Sequence, residues 1–333
     1  MTKKTKDIWE NSEKIDWLLS AEEPWVKKLT LTDLLEKPRD DPEVQAADKA
    51  LFSHPFVKNE IAFCKTWPGP ALKRHNTAGH PFNRLGFLAD IGYSMHIRGA
   101  KGLVNKLTAH RDKTTGYFET VIELPKVFGG SGKPEWCWMI CDAPVLAHAL
   151  YKFGLDDDPR VQAAYDHMAS LATDIGWGCH SSFPKVRGPG RKDDPCPIAN
   201  LLCLKALSLS PDHLDSDACR RGTEMLLSHW RQRKKKKYRM FGIGTDFAKI
   251  KYPNIWYDIL HMVEVLSRFP WTLKDKRLLE MAEVIFSKAD KDGRFKPESV
   301  WMPYKKFDFG QKRELSPMLT LSVMRIGKRL LPT

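Results

Sequence analysis

The sequence lacks a run of about 18 apolar residues, the length that a helix needs to cross a bilayer, so it predicts no transmembrane segment. Its polar N-terminus, Met1 to Lys6, has no apolar stretch behind it, which predicts a cytoplasmic protein without an export signal. Alternating β patterns are scarce, and residues 117–124 are long enough for only a short hairpin. Glycine-rich phosphate loops, dinucleotide fingerprints, nucleophile elbows and EF-hand loops are also missing, which argues against the enzyme classes built on them.

Cysteine is sparse and odd in number, with seven in 333 residues. In a long chain without an export signal, that count argues against a disulfide framework. Four of the seven nevertheless fall within sixty residues, and three of these four stand beside Trp, His or Pro in predicted turns. The four are Cys137, Cys141, Cys179 and Cys196.

Acidic residues are outnumbered, with 41 against 54 basic ones, which gives a formal net charge of +13. Such a basic protein favours anionic partners. The densest basic run, residues 231–237, is typical of a solvated helix C-terminus, where cations suit the helix dipole. A docking patch for an acidic partner or an anionic membrane surface is the alternative, and no motif predicts nucleic-acid binding.

A repeat of about 57 residues is the clearest feature that is present. Six segments begin with an aromatic residue, His or Pro and continue into an apolar helical run, with starts near residues 25, 80, 136, 195, 252 and 315. A proline in the first turn suits a helix because its missing N–H is not needed there. These runs are apolar on most faces, as in residues 201–209, which predicts buried inner helices.

More amphipathic helices follow the inner ones, opened by Asp41-Pro42, Asp158-Pro159 and Asp275. Inner and outer helices in alternation predict an all-α (α/α)6 toroid of about six helical hairpins, a single domain over residues 1–333. The last hairpin lacks an outer helix, and the N-terminal helix within residues 1–20 is expected to take its place and close the ring. A superhelical solenoid is the alternative fold.

The chain resembles the terpenoid cyclase and protein prenyltransferase superfamily of α/α toroids over about residues 20–331. The resemblance is carried by the repeat length and by turns such as Gly176-Trp177-Gly178 and Asp292-Gly293-Arg294-Phe295, which are similar to those of squalene-cyclase-type repeats. It implies a central cavity for an apolar or isoprenoid-type small molecule and an enzyme of the transferase or lyase kind.

Thiolate and imidazole ligands together favour zinc, and three protein ligands with one open position are the catalytic pattern. The cysteine cluster therefore predicts a zinc site from Cys137, Cys179 and His180, with Cys196 as a further ligand. Trp136-Cys137 and Cys179-His180 also resemble the paired motifs of lanthionine cyclases, although Trp138-Met139 and Ser181 depart from that pattern. Buried thiols without metal are the alternative.

Carboxylates provide a second candidate chemistry. Class II terpene cyclases carry Asp-x-Asp-Asp, of which Asp193-Asp194 keeps only the final pair, a pattern that also fits a helix cap. Asp142 and Asp258, with nearby His261, are the predicted catalytic acid and base groups.

Two further sets of residues are predicted to bind the ligand. Basic side chains in loop segments are expected to bind an anion, namely Arg74, Arg187 and Arg191. Aromatic rings at the cavity mouth are expected to bind the apolar substrate and to stabilise positive charge. They are Trp25, His80, Trp136, Trp138, Trp177, Trp256, Tyr257 and Trp301.

Two other functions fit the sequence. A carbohydrate-active toroid would use paired carboxylates such as Asp142 and Asp258 and would need a polar cavity. A helical scaffold without catalytic activity would use its basic surface to bind an acidic partner, and that binding would weaken with salt.

Overall fold

The computed structural model describes residues 12–94, 101–186, 188, 190, 191 and 193–330. These residues form fifteen α-helices and one two-stranded sheet, and 53% of the described residues are helical, which confirms the predicted all-α class. None of the helices in the described part of the chain is long and apolar enough to cross a membrane.

The helices are, in chain order, α1 (Ser12–Leu19), α2 (Pro24–Leu29), α3 (Pro42–Ser53), α4 (Pro55–Cys64), α5 (Pro81–Asp90), α6 (Lys101–Ala109), α7 (Ala143–Leu150), α8 (Pro159–Ser170), α9 (Pro197–Leu207), α10 (Pro211–Leu214), α11 (Asp217–Arg231), α12 (Thr245–Ala248), α13 (Ile259–Leu266), α14 (Lys276–Phe286) and α15 (Pro317–Leu330). Strands β1 (Thr120–Glu123) and β2 (Pro134–Cys137) pair antiparallel, with Thr120 opposite Cys137.

Four of the six predicted inner-helix starts lie within two residues of observed ones, at the first residues of α2, α5, α9 and α15. The other two differ. Trp136 lies in β2, and residues 252–253 lie in a loop, so that α7 and α13 each begin seven residues after the predicted start. The two reasons differ. Trp136 pairs with Val121 on a strand more than ten residues away, whereas Asp258 caps α13 by accepting a hydrogen bond from the backbone N–H of His261.

The chain folds into two compact units, one of residues Asn59–Ile243 and one that joins Met1–Lys58 to Gly244–Thr333. In the first unit, α7 packs between α5 and α9, and α8 and α11 pack against α9. All eleven residues of α9 are buried, as the apolar run in its sequence predicts. The three helices α5, α7 and α9 therefore form the core layer that positions the candidate site.

The glycine-bearing turns of the repeat are held by polar side chains of the helix that follows. Asn200 on α9 accepts a hydrogen bond from the backbone N–H of Trp177 at 3.1 Å and donates to its carbonyl at 2.9 Å. In the other unit, Thr320 on α15 accepts from the backbone N–H of Phe295 at 2.9 Å. The repeated turn signature thus reflects a recurring loop-to-helix contact.

In the second unit, α13 packs against α14 and α15, and all eight of its residues are buried. Its buried Glu264 accepts hydrogen bonds from Arg268 and Arg329, whose charges outweigh the burial and hold the pKa of that carboxyl well below its usual range. Helix α1 packs on both α2 and α15, and the closure of a ring by the N-terminal helix stays a prediction. Residues 1–11 of that predicted segment lie outside the described part of the chain.

Candidate functional site

Three side chains meet at the N-terminal end of α7 and form what we call the His75 group: His75, Cys141 and Asp142. One ligand atom from each, a nitrogen, a sulfur and an oxygen, lies within 4.8 Å of the other two. Among the residues that the structure describes, this is the only such cluster of three metal-binding side chains.

Asp142 precedes α7 directly, where an aspartate ordinarily accepts a hydrogen bond from the first turn of the helix. Its carboxylate makes no such bond. Instead, Oδ1 lies 2.7 Å from Nδ1 of His75, while Oδ2 is buried and has no hydrogen-bond partner among the described residues. Because burying an unpaired carboxylate oxygen is costly, the Asp142 side chain is positioned for something other than helix capping.

His75 lies in the loop before α5 and is fixed by its backbone. The side-chain amide of Asn83 donates to the carbonyls of His75 and Thr77, at 3.1 and 2.9 Å. Burial alone would lower the pKa of His75, but the charge of Asp142 and the hydrogen bond to it raise the pKa instead. The His75 side chain is 25% exposed whereas that of Asp142 is 1% exposed, so the imidazole is the accessible side of the pair.

Cys141 is buried beside Asp142. Burial raises the pKa of its thiol well above the ordinary value, and the nearby carboxylate adds to the effect. Without a cation the thiol is therefore neutral at physiological pH, and a bound divalent cation would favour the thiolate.

The metal ligands predicted from sequence differ from this group. Cys137 ends β2, and α7 begins only at Ala143, so residues 137–142 are not helical. In the described residues, Cys137, Cys179, His180 and Cys196 form no metal-binding cluster of three. The predicted ligand His180 is nevertheless close in the fold, because its backbone carbonyl accepts a hydrogen bond at 3.0 Å from the backbone N–H of Ile140, the residue before Cys141. His75 stands in a basic segment that suggested only anion binding, so no signal in the sequence paired it with Asp142.

Asp258 and His261, the other predicted catalytic residues, lie in the second unit. Asp258 is fully buried, its Oδ1 caps α13, and its Oδ2 lies 3.9 Å from Nζ of Lys251. Burial raises the pKa of Asp258 to about 6, although Lys251 opposes the shift. His261 is also buried, and its Nδ1 lies 2.8 Å from the carbonyl oxygen of Trp256.

The predicted aromatic residues of the Asn59–Ile243 unit occupy different settings. Trp136 stacks on His110 with ring centroids 3.6 Å apart, and Trp138 packs edge-on against His167. Trp177 is fully buried, and its indole N–H donates to the carbonyl of Met168 at 2.8 Å. The ring of His80 caps α5 through Nδ1 while its Nε2 bonds the carbonyl of Pro70, so both nitrogens serve the fold.

In the other unit, Trp25 is buried among His54, Phe56 and Phe307. Trp301 donates through its indole N–H to the carbonyl of Pro253 and faces the ammonium group of Lys251. Trp256 is half-buried, and Tyr257 is buried against Phe247. A role of these rings in substrate binding stays a prediction.

Anion binding by Arg74, Arg187 and Arg191 stays a prediction. Arg74 and Arg191 are both exposed, and Arg187 lies outside the described residues.

A second polar cluster lies at the C-terminal ends of α5, α7 and α9. Asp90 accepts from Nζ of Lys205 at 2.6 Å, and Nε2 of His148 lies 3.2 Å from its other oxygen. Burial would raise the pKa of Asp90, but the charges of Lys205 and His148 hold it far below its usual range. Because the sequence shows His148 and Lys205 only as isolated polar residues in apolar helices, their convergence on Asp90 could not be predicted.

Two solved structures are similar to the whole chain, both of the type II terpene cyclase MstE from Scytonema in complex with its substrate, geranylgeranyl dihydroxybenzoate. The first has a TM-score of 0.44 and 10% identity and covers 99% of this chain and 98% of that one. The second has a TM-score of 0.42 and 11% identity, with 98% and 97% covered. Both neighbours are terpene cyclases, the kind of protein that the repeat pattern in the sequence resembles. No protein-family model and no curated protein matches the sequence.

Proposed function

We propose that the chain is a metal-dependent enzyme that acts on an apolar, isoprenoid-type molecule, with the His75 group as its reaction centre. The observation that supports this most directly is the convergence of a nitrogen, a sulfur and an oxygen ligand within 4.8 Å, at the accessible edge of a buried carboxylate. A mixed set of three protein ligands is typical of a catalytic zinc site that keeps one position open.

The residues present fit a zinc ion for a physical reason. The Oδ2 atom of Asp142 is buried without a partner among the described residues, and Cys141 is buried next to the same carboxylate. A divalent cation would satisfy that oxygen and would favour the thiolate of Cys141. A zinc ion there would supply Lewis-acid chemistry, which makes a nucleophile available at neutral pH.

The protein side chains have separate tasks in this proposal. Asp142 orients the imidazole of His75 from the buried side, and the partly exposed imidazole faces the region that a substrate can reach. Asn83 fixes the loop that carries His75, so the ligand set keeps its geometry.

Metal content tests the proposal. Protein that is purified anaerobically is expected to hold about one zinc ion per chain, as measured by inductively coupled plasma mass spectrometry. His75→Ala and Asp142→Asn should each lower zinc affinity by about 10-fold or more, whereas His110→Ala should not, because His110 stacks on Trp136 and does not belong to the group. Protein that holds far less than one equivalent and binds no added zinc would contradict the metal-dependent form of the proposal.

A metal-free reaction by the Asp142–His75 pair is the second candidate. It is favoured by the 2.7 Å contact and by the raised pKa of His75, which place a proton between a buried carboxylate and an accessible imidazole. Turnover of geranylgeranyl dihydroxybenzoate, followed by mass spectrometry, separates the two. Activity that survives a chelator but is lost in Asp142→Asn supports the acid–base pair, and activity that is restored only by added zinc supports the metal.

A further inference from the structure

Arg239 has an unusual position in the loop that follows α11. Its Nη2 donates to the backbone carbonyl of Asp194 at 2.7 Å. The other two guanidinium nitrogens, Nε and Nη1, are buried and have no hydrogen-bond partner among the described residues. Because buried N–H groups of a charged side chain are costly to leave unpaired, these two donors need an acceptor.

The loop backbone holds Arg239 in place. Its φ of 52° lies in the left-handed region, which a residue with a side chain seldom adopts. Gly190 approaches so closely that a Cβ atom on it would lie 2.8 Å from Cα of Arg239. Such a strained non-glycine residue, fixed by its neighbours, is a frequent feature of ligand-binding positions.

Gly188 packs closely against the guanidinium. A Cβ atom on Gly188 would lie 2.8 Å from Nη1 of Arg239 and 3.0 Å from Sγ of Cys179. The absence of a side chain at Gly188 therefore leaves Nη1 and the Cys179 thiol as neighbours across a narrow gap.

The surroundings do not neutralise the charge. Within the described part of the chain, Arg239 forms no ion pair, and the carboxylate of Asp194, whose carbonyl it contacts, lies 3.7 Å from Nζ of Lys236. Burial, helped by the charge of Arg239, lowers the pKa of His180, and burial raises the pKa of the Cys179 thiol although Arg239 opposes it. Both neighbours are therefore neutral near pH 7, and no carboxylate among the described residues pairs with the guanidinium.

We propose that Arg239 binds the oxyanion of the ligand, a carboxylate or a phosphate, beside the His75 group. Two contacts link the two places. Cys179 and Arg239 both approach Gly188, and the next residue, His180, accepts a hydrogen bond at 3.0 Å from the backbone N–H of Ile140, which directly precedes Cys141. An apolar molecule with one anionic end would then have its charged group at Arg239. The apolar part of this ligand rests on the proposed function, while the anion site rests on the Arg239 geometry alone. A guanidinium suits either oxyanion because it presents several N–H donors in one plane.

Calorimetric titrations at fixed ionic strength test the site with farnesoic acid, farnesyl phosphate, farnesol and inorganic phosphate. The wild-type protein is expected to bind at least one of the two anionic farnesyl compounds about 10-fold or more tightly than farnesol. Arg239→Gln should abolish that preference and leave farnesol binding within about twofold, and Arg239→Lys should keep part of it. Lys235→Gln, which removes an exposed charge from the same segment, is the matched control and should change neither.

The outcomes separate this inference from the proposed function. A preference for the anion that is equal in the wild type and in Arg239→Gln, or lost equally in Lys235→Gln, overturns the anion site. If none of the farnesyl compounds binds, the apolar substrate of the proposed function is wrong. The anion site is then tested with inorganic phosphate alone. Saturable phosphate binding that Arg239→Gln removes supports the anion site, and the absence of such binding rejects it. The preferred farnesyl compound shows whether the oxyanion is a carboxylate or a phosphate.

Discussion

The Nδ1 atom of His75 lies 2.7 Å from Oδ1 of Asp142, and this contact replaces the helix cap that an aspartate at that position ordinarily makes. In protein freed of metal, replacing the carboxylate by Asp142→Asn should lower the pKa of His75, because burial then acts without the opposing negative charge. The measurement is an NMR titration of the His75 ring.

His229 is the internal control for that titration. Burial lowers its pKa to about 4, and its ring contacts the carbonyl of Phe241.

A raised histidine pKa, as at His75, adds stability below the unfolded-state pKa of about 6.5, and this stability is lost as the pH rises through the folded-state pKa. The stability advantage of the wild type over Asp142→Asn should therefore shrink above about pH 6.5. An unchanged His75 titration in the variant would show that the pair is not coupled.

Asp90→Asn should destabilise the Asn59–Ile243 unit by about 3–5 kcal/mol, because it removes the carboxylate that pairs with the buried ammonium of Lys205. Adding Lys205→Met should recover much of that loss, since an apolar side chain of similar length then replaces the unpaired charge. Urea unfolding measures both. The control is Asp166→Asn, which alters an exposed contact to His213 and should cost less than about 1 kcal/mol. A double variant no more stable than the single one would contradict the explanation.

The buried carboxyl of Asp258, whose pKa is raised to about 6, should make the protein less stable as the pH rises from about 4 to about 6. The sign follows because the folded state binds more protons than the unfolded state in that window. Asp258→Asn keeps an acceptor for the N–H of His261 but cannot ionise. Between pH 4 and pH 7, the free energy of unfolding of the variant should rise relative to that of the wild type by up to about 3 kcal/mol. Urea unfolding at the two pH values checks this, and parallel pH dependences would refute it.

Gly222 and Gly102 form a matched pair of helical glycines with opposite expectations. A Cβ atom at Gly222 would lie 2.4 Å from the buried ring of Trp177, so Gly222→Ala should cost about 1–3 kcal/mol by overpacking. A Cβ atom at Gly102 would have no atom within 4 Å, so Gly102→Ala should be neutral or should stabilise the protein by about 0.5 kcal/mol through helix propensity. Thermal unfolding of both variants is the measurement, and a tolerated alanine at residue 222 would mean that Trp177 can move aside.

Much of the secondary structure could be predicted because its signals are local. A proline in the first turn and the helical spacing of the apolar residues predicted the starts of α5 and α9 to within two residues of the observed ones. The prediction failed near residue 136 because the partner of Trp136 is a strand more than ten residues away, and a short strand leaves little pattern in the sequence. Asp142 was predicted as a functional residue, but its partner His75 was not.

By itself, the sequence determined the helical class, the repeat length and the residues that begin most of the core helices, since propensity, capping and apolar spacing act over a few neighbouring residues. Only the tertiary structure decided which side chains meet. The contact of His75 with Asp142 spans 67 residues and that of Lys205 with Asp90 spans 115, and each depends on how separate helices pack. The same holds for Arg239: two of its donors have no partner among the described residues, and the glycine-bearing loop that packs against it lies about fifty residues earlier in the chain.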